Sequence, residues 1–396
     1  MYATVATTMR RTIWLAAIMA LALVTGCTKK TDTTDGGGAD GTSGEFKVGV
    51  ILPLSGDLAN YGQTTLAGVD LRVKELNAAG GINGQKVVLV VEDNKGQQAD
   101  TLSAYKKLST LSNVSVVIGP ITSTNTMAVA PTTSLQKVVV VSPTATNDLA
   151  APMSDYVFRT CFTDGFQGQV VATYAYRDLG LRKAAIFTET GNDYSMGLGA
   201  NFKKTFAALG GQLVAEKSYN KADKDFGPQL EAIKASGAEV VFVPGYPGEV
   251  PLILKQAAVK DVQAVFCGSD GWDNEEILQG SGDTIVGSFM VGAFSADDQR
   301  AEVQTFVKAI KQEITGEPGF FEAQGYDTMS VIAEAAKSGS GREDIRSGLL
   351  KIKGMKLVTG TISIQPNGDA TKSAVVLQVG KEGESYIKSY VKTVDP

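Results

Sequence analysis

The sequence predicts an α/β protein of two lobes, each a doubly wound parallel sheet, and three observations carry that prediction. From Glu45 onward, short apolar strand-like runs alternate with helix-length amphipathic segments, the pattern of a parallel sheet covered on both faces. The alternation restarts after Arg159, so two such units follow one another. Near the C-terminal end the pattern changes to strand-like stretches joined by turn sequences. The 396 residues allow two or three domains, and 43% apolar with 20% charged residues is a globular composition.

Residues 46–52 read as a buried strand. A helix follows over 63–79, with Leu66, Val69, Val73 and Leu76 on one face and Gly80-Gly81 as its stop. Then come strand 86–91, helix 99–111 with Leu102, Tyr105, Leu108 and Leu111 inward, strand 114–118, helix 125–135 and strand 138–141. The second unit reads as helix 166–179, strand 184–188, helix 197–209, strand 214–219, helix 228–236, strand 240–243, helix 250–259 and strands 264–267 and 287–293. Helices 298–314 and 328–337 come next. Strand-like segments 358–364, 374–379 and 385–391 are joined by Pro366-Asn367-Gly368-Asp369 and Lys381-Glu382-Gly383, which read as hairpin turns. Two successive units of this kind place a cleft between the carboxyl ends of their strands.

The N-terminal segment stands apart from this alternation. Arg10-Arg11 precede an uninterrupted apolar run over 13–24, too short for a membrane span and right for a signal-peptide core. The run ends in Leu23-Val24-Thr25-Gly26-Cys27, which resembles the lipobox of bacterial lipoproteins. That resemblance implies cleavage after residue 26 and lipidation of Cys27. The polar stretch completing 27–45 then reads as a flexible tether. The expected product is an extracytoplasmic body, anchored by lipid in the periplasm or on the outer face of the cell membrane.

Composition excludes several chemistries. With no histidine there is no Ser-His-Asp triad, no Cys-His pair and no HExxH zinc helix, and three cysteines fall short of a four-ligand zinc site. No phosphate-binding glycine loop of either familiar spacing occurs, and a net charge of −5 without a Lys/Arg cluster gives no nucleic-acid footprint. No cofactor and no metal are expected. Cys161 and Cys267 pair as a disulfide or stand as two buried thiols, the second being the simpler reading.

Strand-end loops carry the polar chemistry. Residues 119–124 and 142–147 are dense in hydroxyls, including Ser123, Thr144 and Thr146. Such loops at helix starts serve either as N-caps or as a site for a carboxylate, because free N–H groups and the helix dipole favour negative charge. Asp270 follows the strand ending at Cys267 and suits either a solvated turn or an ammonium partner. Tyr61, Tyr194 and Tyr246 lie just beyond strands, and aromatic bodies with polar tips suit a pocket for a small amphipathic molecule. Glu92-Asp93 reads as a turn device rather than a catalytic dyad, since neighbouring strand side chains point to opposite faces.

These residues together resemble the leucine/isoleucine/valine-binding proteins of ABC importers. The pieces that carry the resemblance are the run 48–56, Tyr61-Gly62, Ile82-Asn83-Gly84, Ile118-Gly119-Pro120, the run 142–147 and Phe158-Arg159-Thr160. The resemblance implies the type I periplasmic binding protein fold: two Rossmann-like lobes joined by a three-stranded hinge, with crossings near residues 161, 294 and 373. Lobe 1 would be 46–161 plus 295–372, and lobe 2 would be 162–294 plus 373–396. It further implies a non-enzymatic receptor that closes on a free amino acid, branched-chain or otherwise small and aliphatic, and delivers it to an ABC permease. In that reading Ser123 and Thr146 hold the ligand carboxylate, Thr144 contributes main chain and Asp270 holds the ammonium. Tyr194 and Tyr246 close from the second lobe, Tyr61 touches the ligand side chain and Tyr326 lies near the cleft. A monomer is expected. A sensor for another small carboxylate, amide or aromatic solute has the same fold, and a two-lobed α/β transferase is the alternative of another class.

Overall fold

The computed structural model describes residues 44–396, so the leader, Cys27 and most of the tether lie outside the described residues. The first sheet contains β1 (Glu45–Leu52), β2 (Lys86–Asp93), β3 (Val116–Ile118), β4 (Val139–Ser142) and β5 (Val157–Arg159), all parallel in the order β2-β1-β3-β4-β5. Helices α1 (Ala59–Ala78), α2 (Gln98–Thr110) and α3 (Ser123–Gln136) make the crossovers. Along β1, Val48, Val50 and Leu52 enter one core while Ile51 enters another with Tyr105, Leu108 and Val117. A strand buried on both faces has no polar side to show, which is why residues 48–52 of β1 form an unbroken apolar run.

The second unit repeats the plan. Its parallel strands are β6 (Lys183–Glu189), β7 (Gln212–Tyr219), β8 (Val240–Phe242), β9 (Val265–Cys267) and β10 (Phe289–Gly292), in the order β7-β6-β8-β9-β10. Helices α4 (Asp164–Thr173), α5 (Asp193–Ala208), α6 (Gly227–Ser236), α7 (Val250–Val259) and α8 (Glu275–Ser281) cover it. The chain then returns to the first unit through α9 (Ala301–Ile310), α10 (Phe320–Ala335) and α11 (Arg342–Leu350), which pack on α1 and β4. A small antiparallel sheet of β11 (Met355–Leu357), β12 (Gly360–Ile364) and β13 (Ala370–Thr371) follows. Finally β14 (Ala374–Glu382) and β15 (Ser385–Val394) extend the second sheet antiparallel to β10. Both sheets reverse their strand order at one point, between β1 and β3 and between β6 and β8, and ligands of such sheets bind beyond the strand ends at that point.

Four expectations need correction. Leu102 and Leu111 are not inward: they are 41% and 81% exposed. The buried face of α2 is Thr101, Ala104, Tyr105 and Leu108, which leaves Leu102 one step round the helix and Leu111 beyond its end. Helix α10 starts at Phe320, well before residue 328, and nearly all of it is buried. A helix buried all round shows no amphipathic period. The turn 366–369 leads to the two-residue β13 rather than to β14, and β14 itself runs on to Glu382. Strand β5 and helices α8 and α11 are elements that the alternation did not reveal.

The chain crosses between the units after Arg159, after Gly292 and between Thr371 and Ala374. Buried Lys372 ties two of these crossings together. Its Nζ donates to the Thr160 carbonyl (3.2 Å), to Gln324 Oε1 (2.8 Å) and to the Thr359 hydroxyl. Asp327 accepts from the backbone N–H groups of Val358 (3.1 Å) and Thr359 (2.8 Å) beside it. Burial pulls the Lys372 ammonium down to about 8, against the opposing charge of Asp327.

Candidate functional site

Six segments that follow strand carboxyl ends, each a loop or the first turn of the next helix, lie between the two sheets and carry all seven singled-out residues. Gly119 starts the loop after β3 with φ +87°, and a Cβ there would lie 2.2 Å from the Ile51 carbonyl. Only glycine lets this loop turn so tightly against β1. The turn delivers Ser123 to the first position of α3, where its Oγ accepts from the Asn147 N–H (3.1 Å). Thr144 fastens the neighbouring loop by donating to the Ile121 carbonyl (2.8 Å), so its side chain is engaged within the protein. Arg159, 1% exposed, donates through Nη1 to the carbonyls of Ala145 (2.9 Å) and Asn147 (2.7 Å), on either side of Thr146. Its Nε and Nη2 reach Asp369. Thr146 is thus held from both flanks, yet its own buried hydroxyl has no protein partner.

The opposite wall is built around Asp270. The Trp272 indole lies over Gly268, where a Cβ would meet the ring at 2.1 Å, and its Nε1 donates to the Val243 carbonyl (2.8 Å). This packing fixes the short turn that presents Asp270. The Asp270 N–H donates to Gln167 Oε1 (2.6 Å), and its Oδ1 accepts from the Tyr194 hydroxyl (2.8 Å). Tyr194 also accepts from the Gly271 N–H (2.9 Å) and stacks on Tyr246, with centroids 5.2 Å apart and planes 9° from parallel. From the first unit, Tyr61 donates to the Gly271 carbonyl (2.5 Å), meets Tyr246 edge-on at 6.0 Å and packs on Phe321 at 4.4 Å.

Burial dominates the electrostatics. It pushes Asp270 up to about 6 despite the opposing bond from Tyr194. It also lifts the hydroxyls of Tyr61, Tyr194 and Tyr246 well above the ordinary range, so all three stay protonated. Direct bonds join the two walls: Asn274 Nδ2 donates to Asn60 Oδ1 (2.8 Å), Thr124 Oγ1 to Asp193 Oδ2 (2.9 Å) and Asn147 Nδ2 to the Asp193 carbonyl (2.8 Å). A cavity of about 340 Å³ lies alongside, sharing Tyr246 as a wall and lined by Thr124, Asn192, Lys221 and Glu249 among others.

Sequence reasoning missed Asp164 and Gln167. Asp164 is fully buried at the first position of α4, both its carboxyl oxygens lack a partner, and so does Gln167 Nε2. Burial lifts Asp164 well above the carboxylate range, with the nearby Thr146 hydroxyl opposing and the charges of Asp270 and Asp148 adding. A lone acid in a helix's first turn looks like a dipole partner in solvent, so only burial reveals it. Tyr326 is displaced from the cleft: its hydroxyl donates to Glu75 (2.7 Å) and its ring packs on Phe306. Phe321, more than one turn earlier on α10, takes that place beside Tyr61. Asp93 is a turn device, accepting from the N–H groups of Leu54 (2.9 Å) and Lys95 (2.8 Å) and from the Ser55 hydroxyl (2.6 Å), while Glu92 pairs with Lys107. Cys161 and Cys267 are free and buried. Among the described residues no acidic, cysteine or histidine cluster is placed to hold a metal, and no helix is long and apolar enough to cross a membrane.

Known proteins share this fold. The family model described as periplasmic binding protein matches residues 45–384. The "Leu/Ile/Val-binding protein homolog 3" of Brucella melitensis is 30% identical over 84% of this chain and 90% of its own. The branched-chain amino acid transporter substrate binding protein LivJ of Streptococcus pneumoniae, solved with isoleucine, is 30% identical at a TM-score of 0.81, covering 88% of this chain and 100% of that one. A solute binding protein of an ABC transporter from Rhodopseudomonas palustris, solved with 3,4-dihydroxy benzoic acid, is 26% identical at a TM-score of 0.80, covering 89% and 97%. The protein is accordingly a solute-binding protein of the extracytoplasmic transporter class and not an enzyme. By sequence and by fold, the chain belongs to the periplasmic binding protein family.

Proposed function

We propose that the protein is a lipid-anchored receptor that closes its two lobes on a free α-amino acid, branched-chain or otherwise small and aliphatic, and presents it to an ABC permease. The observation that carries this reading is the pairing of opposite chemistries across one buried cleft. Ser123 stands at the N-terminus of α3 with Thr146 beside it, and Asp270 faces them from the second unit. A zwitterion leaves water only if both its charges are met, and these walls offer a carboxylate site and an ammonium site at once. Tyr61, Tyr194, Tyr246 and Phe321 supply the apolar enclosure for a side chain. The three crossings serve as the hinge, dividing the lobes at about residues 161, 294 and 373.

The same aromatic enclosure favours a second reading, an aromatic carboxylate like that of the Rhodopseudomonas neighbour. The buried Asp270 weighs against it, since a benzoate brings no cation for that carboxylate. A thermal-shift screen separates the two. Leucine, isoleucine or valine at 100 times its Kd should stabilise the protein by about 2.7 kcal/mol, several degrees in melting temperature. A shift with 3,4-dihydroxybenzoate and none with any amino acid would establish the second reading instead.

The anchor has its own test. Cys27→Ser should move the mature protein from the detergent phase to the aqueous phase in a phase-partition assay, because two acyl chains make the attachment stable. Equal partition of the variant and the original would remove the lipid from the proposal.

A further inference from the structure

Asp164 has the largest unmet bonding capacity in the cleft. Both of its oxygens are buried without a partner, and a fully buried polar group normally has one. Its backbone is firmly placed: its N–H donates to the Thr146 carbonyl (2.7 Å), and the Thr163 side chain caps the helix by accepting from the Phe166 N–H (3.2 Å). The carboxyl lies beside the Thr146 hydroxyl, near enough for that hydroxyl to oppose the rise in the acid's pKa but with no hydrogen bond of normal geometry between them, and the charge of Asp270 adds to the rise. Burial pushes the Tyr246 hydroxyl up, and the charges of Asp270, Glu189 and Asp164 add to that rise. Gly197 closes the space behind: a Cβ there would stand 2.8 Å from Asn147 Nδ2 and 3.3 Å from Asp164 Oδ2. No cation of the protein pairs with Asp164, and the Arg159 guanidinium is spent on two carbonyls and Asp369.

We propose that Asp164 is a second ligand carboxyl, which shares the three hydrogens of a primary ammonium with Asp270 and with the oxygen of Thr146, whose own hydrogen goes to the ligand carboxylate. The inference rests on the amino-acid reading above and narrows it. A primary ammonium has three donors and no acceptor, and the cleft supplies three acceptors from three separate segments. Two carboxyls facing one ammonium leave a surplus negative charge, and a proton shared between the acids removes it. Of the charged groups around Asp164, Asp270 and Asp148 favour that proton and Arg159 opposes it. The cleft therefore selects primary amines over N-methylated amines and rejects deaminated acids of the same shape.

The test titrates L-leucine, N-methyl-L-leucine and 4-methylpentanoate into the original protein and Asp164→Asn by calorimetry, and melts both without ligand. The original should bind leucine and not 4-methylpentanoate, and prefer leucine to the N-methyl form. Asp164→Asn should bind leucine about tenfold or more weakly and lose much of that preference. Without ligand it should melt at the same temperature or higher, because an unpaired buried carboxyl stabilises nothing. Unchanged leucine affinity in the variant overturns the inference and leaves the receptor reading intact. A ligand-free melt lowered by several degrees makes Asp164 a structural acid and overturns it as well, whichever amino acid is bound. Binding of 4-methylpentanoate in place of leucine by the original overturns the inference and the amino-acid reading together.

Discussion

Asp270→Asn is expected to reduce affinity for L-leucine by about a hundredfold or more at pH 7.5, since removing one partner of a buried charge pair costs 2–5 kcal/mol or more. The size follows from the site. Asp270 is 3% exposed and keeps one bond from Tyr194, so an ammonium meets a carboxylate already stripped of water. Asparagine preserves the shape and the Tyr194 bond and removes only the charge. The pH dependence has a definite sign. Burial lifts Asp270 to about 6, above its ordinary value of 3.8. The folded protein therefore holds this proton where the unfolded chain has released it, and stability falls as pH rises across that window. The loss is on the order of 3 kcal/mol by pH 7, so unliganded Asp270→Asn should be the more stable protein there. Ligand acts in the opposite sense, because the ammonium favours the ionised acid. Below about pH 6, affinity should fall by roughly a factor of ten per unit in the original and stay flat in Asp270→Asn. Calorimetric titration from pH 4.5 to 8 measures both, and a flat profile in the original would sink the ammonium assignment.

Arg159→Met should lower stability by about 3–5 kcal/mol, the usual cost of breaking a buried ion pair by removing one partner. The guanidinium is enclosed with all three nitrogens engaged: two carbonyls flanking Thr146 on one side and Asp369 on the other. Without it the carbonyls of Ala145 and Asn147 are left buried and unmet. Leucine affinity should fall along with stability, because the loop that carries Thr146 loses its support. Arg159→Lys keeps the charge but not the planar fork that reaches three partners, so it should recover only part of each loss. Urea unfolding and calorimetry on both variants check this. A lysine variant equal to the original in midpoint and affinity would show that the fork has no special role.

The sequence disclosed the sheets far better than the pieces that depart from them. Strands such as β1 and β6 are buried on both faces, and that burial is written directly as apolar runs. Helix α10 is buried too, but through Gly325, where a Cβ would meet the Thr65 carbonyl at 2.1 Å, and through hydroxyls bonded inside the network of Lys372. Contacts of that kind need small or polar residues and so erase the hydrophobic period that marks a helix. Strand β5 has three residues and β13 two, too few for any alternation to show. At the site, residues following strands were legible because the loop position itself points to the cleft. Asp164 and Gln167 were not, since both sit on a helix where a polar residue ordinarily faces water.

The bonds that run from wall to wall, Tyr61 to Gly271, Asn274 to Asn60 and Thr124 to Asp193, contain no ligand atom. Under the closure proposed above, they would set a floor under the population of the shut form, and bound solute would add to that floor only what it gains in the shut form over the open one. Each such bond raises the apparent affinity, because less of the solute's binding energy goes into moving the lobes. In the proposed transport role, the same bond would make an empty receptor resemble a loaded one at the permease. These few polar contacts therefore set a compromise between scavenging at low solute concentration and futile docking, and they can be tuned without touching any residue that chooses the solute.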